Sequence, residues 1–145
     1  MIKLENFKIK DLVNFKPLSG YDMWDIMEFN LSRKDQAFLS LKSEATDTVY
    51  AIFGIVEIRR GVVEMGVFRS ERYQQVAHEF SKATRNLIHN VISQNYVRAE
   101  VYIDSEWEGA DRWASFLGLT KDGICYNYDI TKKPHNRYYI LLGDK

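Results

Sequence analysis

The sequence contains little of what several classes of protein require. Its single cysteine, Cys125, cannot form an internal disulfide, which favours a reducing compartment. Twenty Lys and Arg residues balance 20 Asp and Glu residues, so no overall field favours nucleic acid or an anionic membrane as a partner. No apolar run approaches the roughly 20 residues of a membrane helix, and the N-terminus lacks the apolar segment of a signal peptide. We therefore expect a cytoplasmic protein that binds neither nucleic acid nor membrane.

The remaining composition is typical of one globular domain. Hydrophobic residues make up 46% of the chain and charged residues 28%, and 145 residues are enough to bury a core. The sequence has no internal repeat, low-complexity tract or linker, so we predict a single domain spanning residues 1–145. His78, His89 and His135 lie far apart and lack a Cys or carboxylate at ligand spacing, so no metal site is predicted.

The N-terminal third gives mixed signals. Apolar and polar residues alternate from Ile2 to Phe7, as in a short strand, and Lys10 to Phe15 fits a single helical turn. From Tyr21 to Leu31 the apolar residues recur at helical spacing. The segment from Ala37 to Leu41 fits a helix or a strand, and the sequence does not choose between them.

Two apolar segments in the middle of the chain predict a β-hairpin. Val49 to Ile58 is nearly all apolar and rich in β-branched and aromatic residues, which is typical of a strand buried on both faces. Arg59 to Gly61 supplies a turn, and Val62 to Phe68 returns as the partner strand. Gly66 within that strand is typical of a bulge or a close backbone approach, and we expect the strands to splay near it.

The C-terminal half predicts a helix, a strand, a second helix and two more strands. Gln75 to Asn95 is the clearest helix, with apolar residues at 3.6-residue spacing from Val76 to Val91. Val97 to Ile103 alternates as a half-buried strand does, and Gly109 to Phe116 predicts a short helix, followed by Gly118 in a left-handed conformation. The predicted terminal strands are Ile124 to Ile130 and Arg137 to Leu142. A mixed sheet with helices on its faces is the natural architecture for this order.

The turn from Arg72 to Ala77 lies between a predicted strand and the N-terminus of the long helix. Backbone N–H groups at a helix N-terminus lack intrahelical partners, and the helix dipole adds partial positive charge there. We therefore expect these N–H groups to point outward, where a diphosphate fits.

Two patterns in the sequence resemble the acetyl-coenzyme A-binding half of the GNAT N-acetyltransferase superfamily. The first is Gln or Arg, two residues, Gly, one residue, then Gly or Ala. This chain resembles it at Arg72 and Ala77 and departs at Gln75, where the family has Gly. The second pattern follows the next strand and reads Asn, two residues, Ala, two residues, Leu-Tyr, two residues, Leu-Gly-Phe. Three residues of this chain match it, which are Ala110, Leu117 and Gly118.

The resemblance implies an α/β (α+β) fold, with a mixed, mostly antiparallel central sheet and helices on both faces. It also implies acetyl-coenzyme A (acetyl-CoA) as the cofactor, bound along one groove. The implied cofactor-binding residues are Val67, Phe68, Arg72, Tyr73, Gln75, Val76 and Ala77. Gly at the position of Gln75 lets the backbone come close to the phosphates. The Gln side chain either blocks that approach or swings out and leaves the N–H groups usable, and both alternatives stay open.

Acetyl transfer to an amine needs a group that takes the ammonium proton. The family commonly uses an acidic residue on the strand that leads into the diphosphate turn, so Glu64 is the first candidate and Glu57 the second. Many members carry a Tyr at the position of Ala114, where it protonates the departing thiolate. The candidate replacements are Tyr126, Tyr128 and Ser115; spacing does not choose among them, and Tyr126 is carried forward as the candidate catalytic residue.

Two functions are therefore weighed. The first is an acetyltransferase that moves an acetyl group from acetyl-CoA to an amine of a small molecule or a protein. The second draws on a resemblance to GNAT-like proteins of tailed bacteriophages, which share the pair Arg112 and Trp113. It implies a catalytically inactive GNAT-like protein with a virion-structural or host-protein-binding role, located in the host cytoplasm or the virion. A homo-oligomer is compatible with either function.

Overall fold

The computed structural model describes residues 1–17, 36–128 and 132–143. The strands are β1 Ile2–Asn6, β2 Gln36–Ser43, β3 Val49–Arg59, β4 Val62–Arg69, β5 Arg98–Asp104, β6 Thr120–Cys125 and β7 His135–Leu141. Within the described ranges, these seven strands form one sheet in the order β1-β2-β3-β4-β5-β7-β6. The pair β4–β5 is parallel, whereas β1–β2, β2–β3, β5–β7 and β6–β7 are antiparallel. The predicted mixed, mostly antiparallel sheet is confirmed.

The chain divides into two compact units. The first comprises Met1–Val56 and Val67–Phe80, and the second comprises Glu57–Gly66 and Ser81–Lys145. The single domain expected for residues 1–145 stays a prediction. The predicted helix from Tyr21 to Leu31 lies outside the described residues.

The first unit is built around β3, whose composition predicts burial on both faces. Ala51, Ile52 and Phe53 are each fully buried, which confirms the prediction. The Phe53 ring stacks on the ring of Phe80 at a centroid distance of 6.0 Å. The ambiguous segment from Ala37 to Leu41 belongs to strand β2, which pairs with both β1 and β3. Strand pairing on either side decides a conformation that the local sequence leaves open.

A buried ion cluster joins a short 3₁₀ helix, Ile9–Leu12, to the strands β1 and β2 of the first unit. The Asp11 carboxylate accepts hydrogen bonds from the Lys8 backbone N–H, the Ser40 hydroxyl and the Lys42 ammonium, each at 2.9 Å. Lys42 also contacts the Glu5 carboxylate at 2.8 Å. Each of the buried charged groups therefore has an oppositely charged partner, as burial requires.

The second unit contains the parallel pair β4–β5. Its paired residues run from Val62 and Arg98 to Gly66 and Tyr102, so the pairing of β4 with β5 ends at Gly66. The opening that the sequence predicts between the two strands of the hairpin stays a prediction. Residues on one face of β5, from Ala99 to Ile103, are buried, and the intervening residues lie on the other face. The predicted half-buried strand is confirmed.

The long helix predicted from Gln75 to Asn95 is helical but changes type along its length. A 3₁₀ turn, Tyr73–Val76, leads into helix α1, Ala77–Asn86, which is followed by a π-helical turn, Leu87–Val91, and a final 3₁₀ turn. The wider π turn shifts the phase of the side chains. Val91, which 3.6-residue spacing places on the buried stripe, is 50% exposed, whereas Ile92 is buried.

Helix α2, Ala110–Leu117, confirms the second predicted helix, and Gly118 ends it in the left-handed conformation with φ +84°. Its last carbonyl, that of Leu117, lies 2.7 Å from Nε2 of His89, so the imidazole N–H donates to it. The predicted strand from Ile124 to Ile130 is confirmed only at Ile124 and Cys125; residues 126–128 are not in a strand, and residues 129 and 130 lie outside the described ranges. Strand β6 ends at Cys125, because its mostly polar residues Thr120–Cys125 pair with β7 and the chain then turns at Asn127, with φ +49°.

Candidate functional site

The residues singled out by the sequence fall into two groups, one in each unit. The first group is the segment that follows β4. A 3₁₀ turn places Tyr73 and Val76 in the core and leaves Arg72, Gln75 and Ala77 exposed. The Tyr73 ring meets the Phe80 ring edge-on at 5.8 Å. Burial of these apolar side chains fixes the turn, so the exposed residues are held at the start of α1.

The backbone N–H groups of this turn differ from the expectation that they are unpaired. The Arg72 N–H donates to the Ser70 hydroxyl at 3.1 Å, and the Tyr73 N–H donates to the Ser70 carbonyl at 3.2 Å. The Gln75 N–H donates to the Arg72 carbonyl at 3.0 Å, and the Ala77 N–H donates to the Gln74 carbonyl. The 3₁₀ winding accounts for the bonds of Gln75 and Ala77, because it closes hydrogen bonds that an α-helical first turn leaves open, and Ser70 accepts the other two.

The turn still has the positive potential that a diphosphate requires. Arg72 supplies an exposed cation, the α1 dipole adds positive potential, and no carboxylate lies between Arg72 and Ala77. Gln75 is exposed and not part of the sheet core, as the family resemblance requires. A diphosphate bound here must displace some of the internal N–H bonds or use the remaining donors.

Val67 and Phe68 complete the first group. Both are half-buried on β4. Phe68 packs against the apolar cluster of the first unit, which consists of Leu12, Phe15, Phe38, Val49 and Ile52. The contribution of Val67 and Phe68 to cofactor binding stays a prediction, and the Phe68 side chain has a structural role besides.

The second group lies on the polar face of the second unit, at strands β4, β5 and β7. The half-buried Glu64 of β4 pairs in register with Glu100 of β5, so the two carboxylates project from the same face. Glu100 is neutralised by Arg98 at 3.0 Å and by Arg59 at 3.2 Å. Burial alone raises the pKa of Glu100, but these two guanidinium groups outweigh it and hold the pKa below its ordinary value.

Glu57, the second candidate base, makes its contact with the hairpin turn. It is exposed near the end of β3, and its carboxylate accepts a hydrogen bond from the Gly61 N–H at 3.0 Å. That bond closes the hairpin turn, in which Gly61 has φ +80°. Glu57 therefore has a structural task, and Glu64 is the better placed of the two carboxylates.

The candidate acids are placed very differently from one another. Tyr126 follows β6 in a turn and is 74% exposed, and Ser115 is exposed on α2. Tyr128 is half-buried, with its ring stacked on His135 at 4.0 Å. Ala114 is buried, so no hydroxyl occupies the position where the family carries its Tyr.

Tyr102 belongs to the polar face and was not singled out from the sequence. It pairs in register with Gly66 of β4 and with Arg137 of β7. Its ring lies 5.1 Å from the ring of Tyr128. The alternation along β5 gave a usable signal, because it places Tyr102 on the same face as Arg98 and Glu100.

Among residues 1–17, 36–128 and 132–143, no group of three or more His, Cys, Asp or Glu side chains is arranged to hold a metal ion. Within the same ranges, no helix is both long and apolar enough to cross a membrane.

The structure resembles solved acetyltransferases. The spermidine/spermine N-acetyltransferase SpeG from Vibrio cholerae aligns with a TM-score of 0.67 and 12% identity, over 97% of this chain and 92% of that chain. A candidate ribosomal-protein-serine acetyltransferase from Vibrio cholerae aligns with a TM-score of 0.71 and 14% identity, over 97% of this chain and 93% of that chain. No protein-family model and no curated protein matches the sequence. At these identities the likeness shows the fold, which is that of the GNAT acetyltransferases.

Proposed function

We propose that this chain, which has the GNAT fold, is an acetyltransferase that moves an acetyl group from acetyl-CoA to an amine of a small molecule or a protein. The observation that carries the proposal is the likeness in fold to acetyltransferases over 97% of the chain. Those proteins are named for two kinds of acceptor, spermidine or spermine in one case and a serine of a ribosomal protein in the other. The acceptor of this chain is proposed only to the level of an amine.

The proposed roles are assigned by the chemical type of each side chain and by the resemblance to the GNAT family. Arg72 and the backbone from Tyr73 to Ala77 hold the diphosphate of acetyl-CoA, with Val67 and Phe68 along its pantetheine arm. Acetyl-CoA supplies an acetyl group activated as a thioester. Glu64 takes the proton from the ammonium form of the acceptor, which frees the nitrogen lone pair for attack. We assign proton transfer to Glu64, which is half-buried on β4, the strand that leads into the diphosphate turn.

One observation favours a second function. Four N–H groups of the turn, from Arg72 to Ala77, already bond within the chain, and Gln75 replaces the glycine of the family pattern. A GNAT-fold protein without cofactor, which binds a host or virion protein, is compatible with both facts. The same fold supports catalytic and purely binding roles, so the turn itself has to be tested.

The test is isothermal titration calorimetry with acetyl-CoA on the wild type, Gln75→Gly and, as a matched control, Gln74→Gly. Both glutamines are exposed neighbours in one 3₁₀ turn, and only Gln75 occupies the family's glycine position. We expect micromolar binding by the wild type, binding about tenfold tighter in Gln75→Gly because the backbone is unobstructed, and no change in Gln74→Gly.

The other outcomes are informative as well. Binding only by Gln75→Gly would mean that one side chain closes the groove, which supports the second function. Silence from all three proteins, each shown to be folded by circular dichroism, would overturn the acetyltransferase proposal.

A further inference from the structure

The junction between β4 and the 3₁₀ turn contains two arginines, Arg69 and Arg72. Arg72 is exposed, whereas Arg69 is half-buried, with its guanidinium carbon 4.7 Å from the centre of the Tyr73 ring. Tyr73 is the first residue of the turn to which the proposed function assigns the diphosphate. Arg69 therefore lies at that turn, and its positive charge adds to that of Arg72.

A column of aromatic rings holds Arg69 in this position. The Tyr73 ring is buried and meets the Phe80 ring edge-on at 5.8 Å, and the Phe80 ring stacks on Phe53 at 6.0 Å. The face of a guanidinium group is attracted to an aromatic ring, whereas its N–H donors lie in its plane. Stacking on Tyr73 therefore fixes Arg69 through its face and does not itself use the donors that a phosphate binds.

Backbone hydrogen bonds fix the chain between the two arginines. Ser70 is 2% exposed, and its N–H donates to the Tyr50 carbonyl of β3 at 2.9 Å. The Glu71 N–H donates to the Lys16 carbonyl, also at 2.9 Å. Both arginine side chains thus start from fixed backbone positions, which lowers the entropic cost of holding an anion between them.

The turn offers few backbone donors for that anion. Four of its N–H groups already bond within the chain, so the oxygens of a diphosphate need donors from elsewhere. Arginine side chains supply them in a planar fork that matches two phosphate oxygens at once. From Arg69 to Ala77, Glu71 is the only carboxylate against two guanidinium groups, so the segment has a net positive charge.

We propose that Arg69 and Arg72 form a clamp for the diphosphate of acetyl-CoA, in place of the N–H groups that the turn already uses. The proposal rests on the acetyltransferase function and deepens it, because it names a residue that determines affinity for the cofactor. Arg72 belongs to the family pattern, whereas Arg69 lies three residues before it. The clamp binds and orients the donor and takes no part in the chemistry.

The test is isothermal titration calorimetry with three acetyl donors. Acetyl-CoA has the diphosphate and a 3′-phosphate, 3′-dephospho-acetyl-CoA has only the diphosphate, and acetyl-pantetheine has neither. The proteins are the wild type, Arg69→Gln, Arg72→Gln and the matched control Arg85→Gln. Arg85 is exposed on α1, with its guanidinium carbon 5.3 Å from the centre of the Phe116 ring. The control therefore removes the same charge and the same kind of stacking contact.

We expect Arg69→Gln and Arg72→Gln each to bind acetyl-CoA about 10–100-fold more weakly, and Arg85→Gln to bind it as the wild type does. The loss should be equally large with 3′-dephospho-acetyl-CoA and absent with acetyl-pantetheine. Arg69→Lys keeps the charge but not the planar fork, so we expect an intermediate loss of about 3–10-fold. This variant also tests the clamp if Arg69→Gln fails to fold.

The dependence on salt separates recognition from support of the turn. Added salt screens the attraction between a guanidinium group and a phosphate. Acetyl-CoA affinity should therefore fall with ionic strength in the wild type, and it should fall less steeply in Arg69→Gln. A variant that only loosens the turn would keep the salt dependence of the wild type, and that result would overturn the clamp.

The outcomes distinguish the clamp from the function on which it rests. A wild type that binds none of the three donors overturns the acetyltransferase function and the clamp with it. A wild type that binds acetyl-CoA, with equal binding by Arg69→Gln, overturns the clamp alone. A loss that disappears with 3′-dephospho-acetyl-CoA would assign Arg69 to the 3′-phosphate, and an equal loss with acetyl-pantetheine would assign it to the structure of the turn. Either result overturns the clamp.

Discussion

Replacing Asp11 by Ala should strongly destabilise the first unit. Asp11 is 2% exposed, and the substitution removes the acceptor of three hydrogen bonds, from the Lys8 N–H, the Ser40 hydroxyl and the Lys42 ammonium. Ser40 is fully buried, so its hydroxyl is left in the core without this acceptor. Lys42 keeps its contact with Glu5 at 2.8 Å, which limits the loss.

The magnitude follows from these contacts. Removing one partner of a buried ion pair costs about 3–5 kcal/mol, because the remaining charge stays buried. The surviving contact of Lys42 with Glu5 places the expected loss for Asp11→Ala at the lower end, about 3 kcal/mol. Asp11→Asn keeps the shape and one acceptor oxygen but turns an NH₂ group towards donors, so we expect a loss of about 2 kcal/mol.

Urea unfolding, monitored by circular dichroism, measures these differences, with the exposed Asp47→Ala as the matched control. Asp47→Ala should change the free energy of unfolding by less than about 0.5 kcal/mol. If Asp11→Ala matches this control, the cluster contributes no net stability and the reasoning from its hydrogen bonds is refuted.

The same cluster predicts the sign of the pH dependence. Hydrogen bonds from Lys42 and then Lys3 lower the pKa of Glu5 from 4.5 to about 2. Burial opposes a low pKa at Asp11, but its hydrogen bonds from Lys8, Lys42 and Ser40 prevail and lower it. Both carboxylates have lower pKa values in the folded state, so their stabilisation is complete above about pH 4.5 and is lost as the pH falls. The difference between the wild type and Asp11→Ala should therefore shrink as the pH falls below the ordinary pKa of an aspartate, and a constant difference would contradict this assignment.

Two further substitutions test other parts of the fold. Gly118→Ala should lower the free energy of unfolding, measured with urea, by about 1 kcal/mol, because the backbone φ angle is +84° there. The new Cβ would lie 3.5 Å from His89 Nε2, which is an ordinary contact distance, so backbone strain and not a steric clash is the cause. An unchanged stability would show that the helix end relaxes. Glu100→Gln removes the carboxylate charge that Arg98 and Arg59 share, and we expect a loss of about 1–2 kcal/mol that high salt reduces. Equal stability at low salt would contradict a net contribution from this pair of contacts.

The parts of the fold that could be predicted are those in which the local sequence and the burial agree. Strand β3 is apolar throughout because both of its faces are covered, and its composition alone shows this. The left-handed conformation of Gly118 could be predicted, because helices commonly end in a left-handed residue and glycine adopts that conformation most easily. The segment from Ala37 to Leu41 could not, since its conformation depends on pairing with two strands distant in sequence.

The errors have physical causes as well. Alternating apolar residues after Gly123 suggested a strand, but hydrogen bonding to β7 begins three residues before that glycine and ends at Cys125. Spacing at 3.6 residues cannot reveal a π turn, so the exposure of Val91 was missed. Glu64 was identified from its strand, whereas Tyr102 depends on a register with Arg137 that lies 35 residues further along the chain and cannot be read from the local pattern.

Strand β6 bears on how this protein behaves in concentrated solution. It stands last in the strand order of the described residues, and all of its residues except Cys125 are exposed. An outermost strand offers backbone hydrogen bonds to a strand of another molecule, which is a common route to aggregation. Here the strand is short, carries Lys121 and Asp122, and is interrupted by an irregularity before Gly123, at φ +129°. These features oppose the addition of a foreign strand, so any assembly of identical copies should use a surface other than this edge.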